Sequence, residues 1–229
     1  MKIVKSSFEL RMLGSGKDIL AHIEWAGKTC YKSENSITDE SAEQFIRKVP
    51  IGLGHESMLE HCVITAKLVC DLGISQEGTR HRLVHVDDDV VIDMEWDPAV
   101  SQESTRFCNY SKNKFSSEIS FIDCTHHFKN PESIAVWLKA CEDAEKNYLQ
   151  LIELGETPQF ARSVLIRSCK TEMTLTANLR EWRKFFELRA AGSAGRPHPQ
   201  MLEITVPMLA AFKEMIPVVF DDIIPLDIK

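Results

Sequence analysis

The sequence predicts an α+β fold in a single domain, residues 1–229. Most of its periodic stretches carry apolar residues at three- and four-residue steps, the helical spacing. Two short runs read as strands, and helices separate them, so they are not joined as hairpins. A chain of 229 residues is long enough to bury one substantial core.

Taken in order, residues 17–32 predict a helix with Ile19, Leu20, Ile23 and Ala26 on one face. Residues 39–48 predict a second helix, opened by Thr38 and closed before Pro50. Gly52-Leu53-Gly54 is a turn. Residues 62–71, CVITAKLVCD, are mostly apolar and predict a strand buried on both faces. The stretch ISQEGTRHRL predicts a short helix after it. Residues 132–154 give the clearest helix, with Trp137, Cys141, Ala144 and Tyr148 among its periodic residues and Gly155 as its stop. Pro158 starts another short helix. Residues 169–177 alternate in part and predict a strand. Residues 178–190 predict a helix facing inward with Leu179, Trp182, Phe185 and Phe186. Pro199 opens a last long helix that Pro207 kinks.

Hydrophobic residues make up 44% and charged residues 27%, an ordinary globular balance. No apolar run approaches the roughly 20 residues that span a bilayer. The first residues lack a signal peptide's continuous apolar stretch, so a cytoplasmic protein is expected, with no membrane partner. Seven scattered cysteines without a CxxC pair imply reduced thiols and no zinc site. A net charge of −7 argues against a nucleic-acid partner. It leaves room for an anionic small ligand, because local arginines can build a positive pocket in an acidic protein.

The arginines do cluster. Arg80-His81-Arg82 suits a polyanion, against the plainer reading of a solvated basic face. Gln102, Glu103, Ser104, Thr105 and Arg106 pack hydroxyls, an amide and a guanidinium together. Such a set holds a phosphate or a base edge, or is simply a polar loop. Asn178, Arg180, Lys184 and Arg189 lie along one predicted helix, as a binding stripe or its solvent face. Arg162 stands alone. In His55-Glu56-Ser57-Met58-Leu59-Glu60-His61 the histidines are six apart. That spacing does not place both on one helix face, so polar contacts are expected and no metal.

Together these blocks resemble the flavin-dependent thymidylate synthases. GHESMLEH, RHR with a later serine, QESTRF, CNYSKNKF, NLREWRKFFELR and HPQMLEI stand in that family's order, from about residue 50 onward. One departure is an insertion of 14 residues between Arg82 and the motif serine, Ser104. The inserted segment, at about 84–99, is acidic: Asp87, Asp88, Asp89, Asp93, Glu95 and Asp97 fall in it. It reads either as a hairpin arm or as an exposed loop.

The resemblance implies a central mixed or antiparallel sheet wrapped by helices, and a homotetramer with shared active sites. It implies conversion of dUMP to dTMP, with 5,10-methylenetetrahydrofolate as carbon donor and FAD, reduced by NADPH, as hydride source. Ser57, Arg80, His81, Arg82, Gln102, Asn178, Arg180 and Lys184 match flavin-binding positions. Lys184 is commonly His or Asn in relatives. Glu77, Gly78, Thr79, Arg80, Gln102, Glu103, Ser104, Thr105, Arg106, Arg162 and Arg189 match nucleotide-binding positions. Arg189 is the expected activating residue and Ser104 a weaker catalytic candidate, since no general base adjoins it in sequence. The competing readings are a flavin-binding relative without synthase activity, and a metal-dependent phosphohydrolase using His55, His61, His81 and the acidic run. A third, a nucleic-acid module, meets the acidic charge.

Overall fold

A computed structural model describes residues 1–79, 98–112 and 115–228. The chain groups into two compact units. One comprises Met1–Ser7, Leu68–Glu77 and Ser101–Met173; the other comprises Phe8–Lys67, Gly78–Val100 and Thr174–Lys229. The strands are β1 (Lys2–Val4), β2 (Ser7–Met12), β3 (Val63–Asp71), β4 (Ala99–Gln102), β5 (Ser120–Ile122) and β6 (Lys170–Asn178). The helices are α1 (Gly16–Tyr31), α2 (Ser41–Ile46), α3 (Leu72–Gly78), α4 (Pro131–Glu153), α5 (Pro158–Ala161), α6 (Leu179–Arg189) and α7 (Pro199–Met215). A four-stranded sheet runs β2-β3-β6-β4, and β1 pairs with β5. The class is the α+β expected.

In the first unit, β1 and β5 pair in parallel, with Ile3 opposite Phe121. The core there gathers Tyr110, Ile119, Phe121, Trp137, Cys141 and Tyr148 around α4. That helix starts where Asn130 accepts from the Ser133 amide and Pro131 takes the first helical position. Trp137, Cys141, Ala144 and Tyr148 then fall on one face and are buried. Each large apolar side chain so placed contributes about 1.5–3 kcal/mol. Gly155, at φ +94°, stops the helix in a conformation that favours glycine.

In the second unit, α1 opens with a capping box. Ser15 accepts from the Asp18 amide, and the Asp18 carboxylate accepts from the Ser15 amide at 2.7 Å. These bonds from Ser15 hold the Asp18 carboxyl below its ordinary value. Ile19, Leu20 and Ile23 are buried as expected. The aromatic core links α6 to α7. Trp182, Phe185, Phe186, Phe212 and Phe220 meet mostly edge to face, Phe186 and Phe212 at 4.9 Å between centroids. The Trp182 indole N–H donates to the Ile64 carbonyl at 3.0 Å, tying α6 to β3.

Gly27 marks a close approach in this unit. A Cβ there would sit 2.6 Å from the Met58 sulfur and the Phe45 ring. Gly27→Ala should therefore lower stability by about 1–3 kcal/mol, read as a lower denaturant midpoint at unchanged slope.

Three expectations need correction. α2 begins at Ser41 with Glu40 at its N-cap; Thr38 does not cap it, its amide donating instead to Ser41 Oγ at 2.9 Å. The chain is not released before Pro50 but continues through it as a π turn, Arg47–Ile51. Finally, β3 is not buried on both faces: its residues alternate, with Val63 and Lys67 exposed and Ile64, Ala66 and Leu68 buried.

Candidate active site

The residues expected at the nucleotide fall mostly in the first unit. Gln102, at the end of β4, donates to Ser75 Oγ at 3.0 Å and to Thr171 Oγ1 at 3.2 Å. With both amide hydrogens engaged, its carbonyl oxygen is left as an acceptor. Glu103 is fixed from both sides: the Tyr110 hydroxyl donates to it at 3.1 Å, and Lys170 pairs with it at 3.1 Å. Burial and the Glu103 charge push the Tyr110 hydroxyl far above its ordinary pKa, so it stays a neutral donor. Burial alone would lower the Lys170 pKa, but Glu172 and Glu103 outweigh it and hold the ammonium above the usual lysine value.

Beyond Glu103 the chain turns, and the Phe107 and Cys108 amides both donate to the Ser104 carbonyl. Arg162, on the 3-10 turn after α5, reaches Thr105 Oγ1 with Nη1 at 3.3 Å. Arg106 is exposed, with its guanidinium 5.2 Å from the Phe107 ring centroid. Among the described residues it makes no hydrogen bond or ion pair. Arg162 thus stands beside the Thr105 hydroxyl, with Ser104 and the exposed Arg106 next to Thr105 in sequence. Such a set can grip a phosphate, charge-assisted and with planar forks. Glu77 lies in the same unit, on α3.

Apart from Gln102, the described flavin positions fall in the second unit. Ser57 is exposed on the 3-10 turn Glu56–His61. That turn is pinned to α6: Arg180 Nη1 meets Glu60 at 2.6 Å, and Arg183 Nε meets Glu56 at 3.0 Å. Asn178 caps α6, its side-chain oxygen accepting from the Glu181 amide at 2.9 Å. Lys184 is half-exposed, 4.0 Å from Glu187. Arg189 sits in the last turn of α6, where a cation suits the helix dipole. Its carbonyl accepts from Thr205 Oγ1 at 2.6 Å, and its Nη2 is shielded from solvent. Gly78 and Thr79, at the end of α3, also group with this unit. Arg80, His81, Arg82 and most of the inserted segment lie outside the described residues.

His55 Nδ1 lies 2.9 Å from the Tyr31 hydroxyl, and the His61 ring packs edge-on against His22 at 6.3 Å. Burial pushes the thiols of Cys70, Cys141 and Cys169 up to about 12, so none of these three is a thiolate at neutral pH.

Sequence reasoning missed Arg183. It is buried at 4% exposure, and Asp222 binds it through both carboxylate oxygens at 2.7 Å. The signal was available: Leu179, Arg183 and Phe186 are spaced four and three apart, on the apolar face of α6. Ser75, Thr171, Tyr110 and Lys170 carried no such signal, because they reach Gln102 and Glu103 only through the fold.

Comparison with known proteins bears on the fold and the family. A "UMP/dUMP methylase PolB" from Streptomyces cacaoi, solved with 5-Br dUMP, superposes with a TM-score of 0.72 at 17% identity. The match covers 96% of each chain. The flavin-dependent thymidylate synthase ThyX from Helicobacter pylori, solved with FAD and dUMP, gives 0.68 at 18% identity. It covers 96% of this chain and all (100%) of that one. The fold is therefore that of the flavin-dependent thymidylate synthases. The sequence matches the family described as "Thymidylate synthase complementing protein" over residues 12–218, and the chain belongs to that family. A flavin-dependent thymidylate synthase of Thermococcus onnurineus is 26% identical over 198 residues, covering 83% of this chain and 74% of its own.

Proposed function

We propose that the protein methylates dUMP to dTMP, taking the carbon from 5,10-methylenetetrahydrofolate and the hydride from FAD reduced by NADPH. It acts as one synthase domain over residues 1–229, in a cytoplasmic homotetramer with shared sites. The observation that carries this reading is the Arg162 guanidinium 3.3 Å from the Thr105 hydroxyl, in the stretch that also holds Ser104 and the exposed Arg106. The family to which the chain belongs supports it further.

The donor set of the second unit fits an anionic dinucleotide: an exposed hydroxyl at Ser57, a polar cap at Asn178, and the cations Arg180 and Lys184. Arg80, His81 and Arg82 would add to it. When bound, the flavin supplies the hydride. Glu77, Gly78, Thr79 and Arg80 line the nucleotide, Arg106 and Arg162 hold its phosphate, and Gln102 presents its carbonyl to the base. Arg189 sets its guanidinium against the uracil edge, favours the N3-deprotonated base and so enriches C5. Ser104 acts as a phosphate ligand, not a nucleophile, since among the described residues no general base reaches its hydroxyl.

The purified protein should show oxidised flavin bands and form dTMP from dUMP, methylenetetrahydrofolate and NADPH. Arg106→Ala should weaken dUMP binding by at least about tenfold, the worth of a charge-assisted contact, with flavin content unchanged. A colourless protein that forms no dTMP after FAD is added would end the proposal.

A further inference from the structure

Three successive residues of β6 hold two successive residues of the nucleotide stretch. Thr171, fully buried, accepts at Oγ1 from the Gln102 side-chain amide at 3.2 Å. The Glu172 carbonyl accepts from the Glu103 backbone amide at 2.7 Å. The Lys170 ammonium lies 3.1 Å from Glu103 Oε2. Glu103 is therefore held on one strand by both its backbone and its side chain, one residue before Ser104. The far end of the turn is held as well. On α4, the Tyr148 hydroxyl accepts from the Tyr110 amide at 3.4 Å and donates to the Cys108 carbonyl at 3.5 Å. Between these two anchors lie Ser104, Thr105 and the exposed Arg106.

The anchors differ in kind. Tyr148 holds its end with neutral hydrogen bonds, whereas Lys170 holds its end with charge. The Glu103 side chain is 12% exposed and that of Lys170 18%, so water screens the pair only in part. Glu103 Oε1 accepts from the Tyr110 hydroxyl. Its Oε2 accepts no hydrogen bond, and among the described residues its charge is met by the Lys170 ammonium. Lys170 also donates to Glu172 at 2.7 Å, but the Glu172 side chain is 35% exposed and can turn to water. Glu103 has no such recourse. With the ammonium gone, a nearly buried carboxylate stays uncompensated beside Ser104. It then either repels an incoming anion or swings toward water and takes Ser104 with it. Both weaken the grip on a phosphate.

We propose that Lys170 is a positioning residue for the nucleotide: by neutralising Glu103 it fixes the start of the Ser104–Arg106 turn and keeps a bare negative charge away from the phosphate. Lys170 touches no substrate and acts through Glu103. The inference rests on the reading that this stretch binds dUMP.

The test is calorimetric titration of dUMP into the FAD-loaded full chain, beside steady-state kinetics, run as a double-mutant cycle. Lys170→Met keeps most of the aliphatic stem and removes the charge. It should weaken dUMP binding and raise KM for dUMP about tenfold, with flavin content unaltered. Lys170→Arg should recover most of that loss. In a Glu103→Gln background, Lys170→Met should change dUMP binding by less than about twofold, because no charge is left to compensate. Should Lys170→Met fail to fold, Lys170→Gln carries the same expectations. Three results overturn the assignment: dUMP binding that ignores the loss of Lys170, an equal cost in both backgrounds, or Lys170→Arg as weak as the neutral variant. If dTMP forms while dUMP binding ignores Lys170, the assignment fails and the synthase reading stands. If no dTMP forms but the cycle shows the coupling, Lys170 keeps its role in a nucleotide site and the synthase reading fails.

Discussion

Replacing Arg189 with alanine is expected to cut dTMP formation by about a hundredfold to a thousandfold while the protein still binds FAD. The size follows from electrostatics. A fixed donor aimed at developing charge is worth about two to three powers of ten in rate, more so where water is excluded. In the proposed site Arg189 would be such a donor. It closes α6, Thr205 holds its carbonyl, and its Nη2 is shielded from solvent. A cation held that way costs little reorganisation when the uracil ring gains charge. The flavin contacts assigned to Ser57, Asn178 and Arg180 do not pass through it, so the absorbance spectrum should persist. The measurement pairs a dTMP assay with that spectrum; normal turnover by Arg189→Ala would remove the residue from the mechanism.

The second large effect is on stability. Arg183→Leu should destabilise the protein by about 3 kcal/mol, the low end of the cost of breaking a buried ion pair. The low end applies because Asp222, at 45% exposure, can rehydrate once abandoned. For a chain of this size that corresponds to a fall of about 6–12 °C in Tm. The deficit should depend on pH with a definite sign. Arg183 holds the Asp222 carboxyl below its ordinary value of 3.8, mainly through their hydrogen bonds. A carboxylate with a depressed folded pKa stabilises fully above that ordinary value and loses its contribution as pH falls through the lowered one. The gap between wild type and Arg183→Leu in thermal denaturation should therefore hold steady from about pH 5 to 8 and shrink as the pH falls below the ordinary value of 3.8. A gap that stays the same size on acidification below that value would mean that packing, and not the pair, accounts for the loss.

Much of the fold was legible because it rests on periodicity. α1, α4 and α6 start and stop within a residue or two of their predicted bounds, and α7 starts at the predicted Pro199, each with a proline, serine or asparagine where helix starts demand one. Where the reading failed, tertiary context overrode a local rule. Pro50 should have ended its helix, yet the chain passes through it in a wider turn. The run 62–71 looked apolar throughout, yet β3 turns Val63 and Lys67 outward, since a partly solvated sheet needs only one apolar face. The candidate site was legible as segments and not as contacts. Residue types pointed to Gln102, Thr105 and Arg162, but no local pattern links Thr105 to an arginine 57 positions away. Ser75 and Thr171 beneath Gln102 belong to the same class, as does the clamp of Arg183 on Asp222.

The protonated thiols of Cys70, Cys141 and Cys169 carry a wider implication. They sit on the inside of the fold, whereas Cys30, at the outer end of α1, is the one fully exposed sulfur of the seven. The proposed chemistry asks nothing of a thiol. Peroxide or air would reach Cys30 before the buried Cys70, Cys141 and Cys169.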